Sequence, residues 1–293
     1  MKPEPRLSTF SIVGHDPGAQ EWGIGVQSKF LAVGAVVPWA RAGVGAVATQ
    51  SYANTAFGPD GLALMARGLT AEETLGQLVA GDEGCERRQV GLVDATGQAA
   101  TFTGNECHAW AGGLTGMHYA AQGNILVSSE TVESMAKAFE EAQGELADRL
   151  VTALAAGQAA GGDRRGQQSA AVLVVRPDGG YGGYNDRYMD LRVDDDPAPI
   201  DRLQALVDLH HLFFKPPTPG EMVAIEGDLA REIQRILQWA GTYDGPVTGE
   251  YDAGTRRALT ALIGNENFEE RCDEERGLIS RQVVDIFRRK FAR

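Results

Sequence analysis

The sequence predicts an α+β fold followed by a small helical module, and three observations carry that expectation. β-like runs come in hairpins, helical patterns come in pairs between them, and Lys215-Pro216-Pro217-Thr218-Pro219-Gly220 interrupts the chain before a last helical stretch. Strands grouped with strands favour antiparallel layers with segregated helices over a parallel sheet of regular βαβ alternation. At 293 residues the chain has room for one large domain plus a small one.

In chain order, Thr9 to Gly14 and Trp22 to Ser28 flank the turn Asp16-Pro17-Gly18, a hairpin signal, and residues 34–51 continue β-rich until Gly58-Pro59-Asp60-Gly61 punctuates. Two short helices are expected at Leu62 to Arg67 and Thr70 to Val79, the second opened by Thr70 with Glu73 three residues on, a capping box. A second hairpin joins Val90 to Asp94 and Ala99 to Thr103 through Ala95-Thr96-Gly97. Helices from Thr131 to Gln143 and Glu145 to Ala156, a loop at 160–166, strands at Ala170 to Val175 and Tyr188 to Val193, and a helix from Ile200 to Phe214 complete the large part. Proline stiffens 215–222 into a linker, since each ring removes a donor and restricts the preceding residue.

Composition narrows the function classes. With 40 acidic against 27 basic residues, the net charge of −13 opposes a nucleic-acid backbone, so nucleic acid is not an expected partner. No run approaches the roughly 20 apolar residues of a membrane span, and the first residues, MKPEPRLSTFSIVG, lack the apolar core of an export signal, so no membrane contact and a cytoplasmic location are expected. Cys85, Cys107 and Cys272 are scattered and form no metal-binding spacing. No cofactor or metal is expected: Gly43-x-Gly45-x-x-Ala48 lacks the helix a dinucleotide fingerprint requires, and Asp190, Arg192 and Asp194 to Asp196 read more simply as a salt-bridged edge than as a cation site. Gly161 to Gly166 presents backbone N–H groups that suit either an anion or a plain helix-to-strand loop, and Arg164 and Arg165 would pair a substrate carboxylate.

Several blocks resemble a known family. They are Thr9-Phe10-Ser11-Ile12-Val13, Gly23 to Phe30, Ala32 to Ala40, Gly45-Ala46-Val47-Ala48-Thr49-Gln50, Arg88-Gln89-Val90, Thr103-Gly104, Gln122-Gly123-Asn124, Gly161 to Ala170 and Asp190 to Asp195. Over residues 8–214 the chain is similar to the domain of unknown function 1028 family. That resemblance implies an Ntn-hydrolase-like fold, a four-layer αββα sandwich. In Ntn hydrolases the mature chain begins with Thr, Ser or Cys, whose own α-amine is the base; an α-amine pKa near 7.7–8 leaves a useful neutral fraction at pH 7. Thr9 is the implied nucleophile, preferred over Ser8 and Ser11, with Lys29 on the second strand tuning it. Ser28, Asp163 and Ser169 are the implied surrounding network, and Asn124, Arg164 and Arg165 the candidate substrate-binding residues. Eight residues precede Thr9, so this mechanism needs the polar extension Lys2-Pro3-Glu4-Pro5-Arg6 and its neighbours removed.

In the last segment, 223–293, Leu229, Ile233, Ile236, Leu237 and Trp239 form an apolar stripe expected in a core. The Asp244-Gly245 loop closing at Gly249, and the helix start Thr255-Arg256-Arg257-Ala258-Leu259, resemble the peptidoglycan-binding-domain family, a compact three-helix, all-α unit. From Asn265 to Arg293 a charged helix is expected. The sequence thus supports an amidohydrolase acting on a small amide or peptide, related to the cell wall, with peptidoglycan or its fragments as partner. The alternative is a non-catalytic protein that binds a small ligand or peptidoglycan, and self-association into a homo-oligomer stays open.

Overall fold

The computed structural model describes residues 9–291, so the extension before Thr9, Ser8 included, lies outside the described residues. The chain divides into two compact units, one running to Val207 and the other from Asp208.

The first unit opens with β1 (Thr9–Asp16), β2 (Glu21–Ser28), β3 (Pro38–Arg41) and β4 (Gly45–Ser51), then α1 (Phe57–Ala66) and α2 (Ala71–Ala80). Next come β5 (Arg88–Asp94), β6 (Ala99–Thr103), β7 (Gly112–Gly116) and β8 (Tyr119–Asn124), followed by α3 (Glu130–Glu141), α4 (Leu146–Ala159), β9 (Ser169–Val175), β10 (Arg187–Val193) and α5 (Pro199–Phe214). The strands form a six-stranded sheet ordered β10-β9-β2-β1-β8-β7 and a four-stranded sheet ordered β3-β4-β5-β6, both antiparallel throughout.

The period of two along each strand decides what lies where. Phe10 and Ile12 of β1 pack with Met135 and Phe139 of α3 and with Leu150 and Leu154 of α4 on one face of the larger sheet. Val13 of β1, Trp22, Ile24 and Val26 of β2, and Ala171 and Leu173 of β9 point the other way, against Ala46, Ala48 and Val93 of the smaller sheet. The far face of the smaller sheet carries Val47, Val90 and Leu92 beneath Phe57, Met65 and Leu78 of α1 and α2. Gly23 lets α4 close onto β2: a β-carbon there would sit 2.8 Å from Leu150 Cδ1.

Two sequence expectations change here and one holds. Gly58-Pro59-Asp60-Gly61, read as a break, lies inside α1. Proline is tolerated in a first helical turn because its missing N–H has no helical partner there, and Gly58 is demanded by Trp39, whose ring would be 2.2 Å from a β-carbon. The hairpin of β7 and β8 carried no strand signal in its first half, Gly112-Gly113-Leu114-Thr115-Gly116, where glycine depresses β propensity. The capping box of α2 is present as expected: Thr70 Oγ1 accepts from Glu73 N at 3.2 Å and Thr70 N donates to Glu73 Oε2 at 2.9 Å.

The second unit contains β11 (Met222–Ala224), α6 (Gly227–Trp239), α7 (Ala253–Glu266), β12 (Cys272–Asp273), β13 (Leu278–Ser280) and α8 (Arg281–Phe291). The expected three helices are there, but the unit is not all-α, since its short strands pair in the order β11-β13-β12. The expected continuous helix after Asn265 is interrupted: beyond α7 the chain makes a short 3-10 turn at Glu269–Arg271 and the strands β12 and β13 before Arg281–Phe291 turns α-helical. Arg271 occupies the gap: its guanidinium donates to the carbonyls of His211 at 2.7 Å and Leu212 at 2.6 Å. Ile233, Ile236, Leu259, Ile263, Val283 and Phe287 form the core. Trp239 does not join it and is 42% exposed. At about 100° per residue, two positions beyond the buried Leu237 is the opposite face of the helix.

Gln234, fully buried on α6, organises the loop between α6 and α7. Its Oε1 accepts from the N–H groups of Thr248 and Gly249 at 2.9 and 3.0 Å, and its Nε2 donates to Thr248 Oγ1, Glu250 O and Thr255 Oγ1 at 3.0–3.1 Å. Among the described residues no helix is long and apolar enough to cross a membrane.

Two outcomes follow from this packing. Gln234→Ala leaves the Thr248 and Gly249 N–H groups without their acceptor and is expected to lower the stability of the second unit by about 2–3 kcal/mol in chemical denaturation; a change below about 0.5 kcal/mol would mean the loop is held otherwise. In the first unit His15 is buried beside Trp22 and His118, and burial together with the His118 charge lowers its pKa below the ordinary 6.5 despite Asp16 and Asp94. Below pH 6.5 the unfolded chain therefore takes up a proton that the folded chain refuses, so stability should fall as pH drops from about 7 to 5. His118→Gln should flatten that fall in a thermal-melt series across this range.

Candidate functional site

The layer between the sheets is apolar at its middle, around Val13, Trp22, Ala46 and Ala48, and turns polar at the end where β1 begins. The polar end begins with a row across four strands: Asn124 on β8 faces Thr9 on β1, Thr9 faces Ser28 on β2, and Ser28 faces Ser169 on β9. All four are buried. Thr9 Oγ1 donates to Ser28 Oγ at 3.2 Å. Ser169 Oγ donates to the carbonyl of Phe30 at 2.5 Å and accepts from Val33 N at 3.1 Å, holding the chain that leaves β2.

Beside this row lie amide side chains that no catalytic signature singled out. Gln89 Oε1 accepts from both Gln50 Nε2 and Asn124 Nδ2 at 2.9 Å, while Gln89 Nε2 donates to Thr103 Oγ1 and Gly123 O at 2.8 Å. Ser11 Oγ donates to Gln50 Oε1 and accepts from Gln122 Nε2, each at 2.7 Å. The carbonyl of Thr9 itself lies 3.4 Å from Gln50 Nε2 and 3.5 Å from Asn124 Nδ2. The Cβ alternation of β1, β4, β5 and β8 aims these groups at one another across the gap. Their signal in the sequence was a glutamine at an inward position of an otherwise buried strand.

The remaining predicted residues sit around the rim. Asp163, 3% exposed, ties the end of β2 to the loop after α4: its Oδ2 accepts from Lys29 N at 3.0 Å, and its Oδ1 accepts from Arg165 N at 2.8 Å. Arg165 also forms an ion pair with it at 3.0 Å, so this guanidinium is engaged within the loop. Lys29 is the first residue beyond β2, not within it; its side chain is exposed and Nζ donates to the Gln167 carbonyl at 3.1 Å. Arg164 is exposed and donates from Nη2 to Ala109 O at 3.1 Å. Asp190 pairs with Arg187 and Arg192 at 2.9 and 2.8 Å on the edge strand β10, the salt-bridged edge expected of it.

Further groups occupy the same end. Burial raises the Asp82 carboxyl, but hydrogen bonds from Arg88, Asn54 and the Gly84 N–H outweigh that and bring it down to about 2. The Arg88 side chain, paired with Asp82 at 2.8 Å, also donates to Tyr52 O at 2.7 Å. The Tyr52 hydroxyl is 3.3 Å from His108 Nε2. Burial pushes the Cys107 thiol up, against a hydrogen bond with Ser51, and its Sγ donates to Arg88 O, so it is a protonated thiol and a poor nucleophile at neutral pH. Ser51 and Ile125, one residue past Gln50 and Asn124, have φ of 69° and 52°. For a β-branched residue the left-handed region is strained, and such strain concentrates where function fixes the backbone.

Chemically, the row offers one buried hydroxyl with amide donors beside its own carbonyl. Among the described residues no imidazole or carboxylate is hydrogen-bonded to Thr9 Oγ1, and both oxygens of Asp163 already accept from Lys29 and Arg165.

Comparison with known proteins bears on both units. A "Putative peptidoglycan binding domain" family matches residues 212–287. The crystal structure of a DUF1028 protein from Silicibacter pomeroyi is 30% identical, covering 77% of this chain and 89% of its own, with a TM-score of 0.64. The curated proteins yield no match. A family of unknown function, DUF1028, matches residues 9–203, two-thirds of the sequence. With that family matched over two-thirds of the sequence and named on the Silicibacter structure as well, the chain belongs to the DUF1028 family.

Proposed function

We infer that the first unit is an N-terminal-nucleophile amidohydrolase of the αββα sandwich type, and that the second directs it to cell-wall amides. The observation that carries this reading is the position of Thr9: first residue of the central strand β1, at the polar end of the layer between the sheets, with its hydroxyl hydrogen-bonded to Ser28. A hydroxyl lacking a side-chain base suits a mechanism in which the threonine's own α-amine removes the proton. The amine is available once the preceding peptide bond is cut. Thr9 Oγ1 then attacks the amide carbonyl, its proton passes to the α-amine, and that proton goes on to the departing amine; water hydrolyses the resulting ester. Asn124, whose Nδ2 lies beside the Thr9 carbonyl, is assigned to the substrate-binding side of the row. Ser28, Asp163 and Ser169 hold the row, and Lys29 and Arg164 supply positive charge at the rim.

The substrate is a small amide or peptide. The family matched by the second unit favours one derived from peptidoglycan, and tethering would raise the local concentration of such an amide. The cytoplasmic location expected from the sequence belongs to this reading, with wall precursors as the form met there.

A second reading has its own support: Thr9 is fully buried, as a structural strand residue would be. In that case the first unit is a non-catalytic small-ligand binder. Intact mass and N-terminal sequencing of protein from its native host separate the two. A chain starting at Thr9 supports the hydrolase, and a stable chain retaining the extension favours the binder. In a chain beginning at Thr9, Thr9→Ala is expected to cut turnover of a responsive amide by at least about a thousandfold with an unchanged melting profile, and turnover should rise through about pH 7–8 as the amine deprotonates. Activity surviving in the alanine variant would remove Thr9 from the mechanism. Retention of the full chain on purified sacculi at low salt tests the second unit, and no retention speaks against a wall ligand.

A further inference from the structure

The loop joining β9 to β10 carries two tyrosines that the site does not use. Tyr181 and Tyr184 are 87% and 90% exposed. The other five of the seven tyrosines each have a hydroxyl partner: His108 for Tyr52, Glu140 for Tyr119, Glu145 for Tyr188, Pro246 O for Tyr243 and Glu274 O for Tyr251. Among the described residues neither Tyr181 nor Tyr184 has one.

Their exposure is built rather than incidental. Arg176 N donates to Asp186 O, Gly180 N to Asn185 O and Gly183 N to Gly180 O, at 2.8–2.9 Å, and Asp186 Oδ2 accepts from Ala42 N at 2.9 Å. Gly182 and Gly183 between the rings have φ of 69° and 76°, conformations that favour glycine. A β-carbon at Gly182 would meet the Tyr184 ring at 2.8 Å, so that ring lies over bare backbone. An ordered loop with two rigid aromatic rings and otherwise small residues is a contact surface of low entropic cost.

We propose that Tyr181 and Tyr184 form a stacking platform for a neutral saccharide, an N-acetylhexosamine strand. The apolar C–H face of a pyranose meets the negative face of an aromatic ring favourably. The exposed carboxylate of Asp178 and the amide nitrogen of Asn185 stand on the same loop for hydroxyl and acetamide groups. Charge argues against an anionic ligand, because the nearby guanidiniums are already paired, Arg176 with Glu21 and Arg187 with Asp190, in a chain of net charge −13. Composition argues against a second copy of this chain. In sequence the rings are flanked by Asp178, Gly179, Gly182 and Gly183, not by the apolar residues that fill the centre of a stable self-association interface. The choice of an N-acetylated sugar rests on the wall-directed reading of the second unit; the platform itself does not.

The test titrates the full chain with the β-1,4-linked tetramer of N-acetylglucosamine and maps tyrosine nitration by mass spectrometry. Tyr181 and Tyr184 are expected to nitrate fastest in the free protein and to be protected by the tetramer. The double variant Tyr181→Ala/Tyr184→Ala should bind the tetramer about tenfold more weakly, with an unchanged melting profile. Absence of protection at millimolar tetramer, or equal affinity in the double variant, overturns the proposal. So does a dimer in solution that the double variant abolishes, since the rings would then serve self-association. Sacculus retention is measured on the same proteins: if it fails while protection persists, the wall-directed reading of the second unit falls and the platform stands.

Discussion

Burying amide side chains between two sheets is tolerable only if every one of them finds partners, and that constraint shapes the first unit. Gln89 meets it by linking Gln50 and Asn124 through one oxygen and Thr103 and Gly123 through its nitrogen. An unmade hydrogen bond there would cost about 1–3 kcal/mol, so strand register in both sheets is coupled. A slip of one residue in β5 would turn Gln89 towards α1 and α2 and take from Gln50 and Asn124 the acceptor they share. Apolar packing penalises a slip of one residue, which would turn every side chain to the other face, but a slip of two keeps that pattern, and packing does not by itself choose between such registers. The amide network does, and in doing so it places Thr9, Ser28 and Asn124 side by side.

The rim shows the same economy with charge. In an acidic chain the half-buried Asp82 and the buried Asp163 are each matched to an arginine and to backbone N–H groups, and both serve to pin a chain segment at the polar end. Asp163 fixes the exit of β2, and Arg88, held by Asp82, fixes the turn after β4 through Tyr52 O. Left-handed backbone at Ser51 and Ile125 lies just beyond two of the strands that carry the amides.

The second unit reaches order by a different route. It has a small core, and one buried glutamine closes its longest loop by replacing the backbone pairing that loop lacks. Arg271 performs the same service for the carbonyls that end α5. In both units, then, polar side chains placed inside the protein specify geometry that hydrophobic packing alone would leave loose.

Much of this was readable in the residues. Period-two runs located β1, β2, β5, β6, β9 and β10, the Thr70 and Glu73 pair marked the start of α2, and the Asp244-Gly245 loop with the Thr255 helix marked the second unit, because each signal is written within a few consecutive residues. Thr9, Ser28, Asn124 and Ser169 were legible as candidates, though not as a row. What no local pattern contained was which inward residues meet: Gln50, Gln89 and Gln122 lie on three strands, and only the pairing of distant segments brings them together. Gly58 was misread as a break because its requirement comes from Trp39, and Trp239 as core because its face depends on its angle from Leu237. Local chemistry determines which conformation a segment prefers; long-range strand order decides which buried polar groups become neighbours, and with them the site.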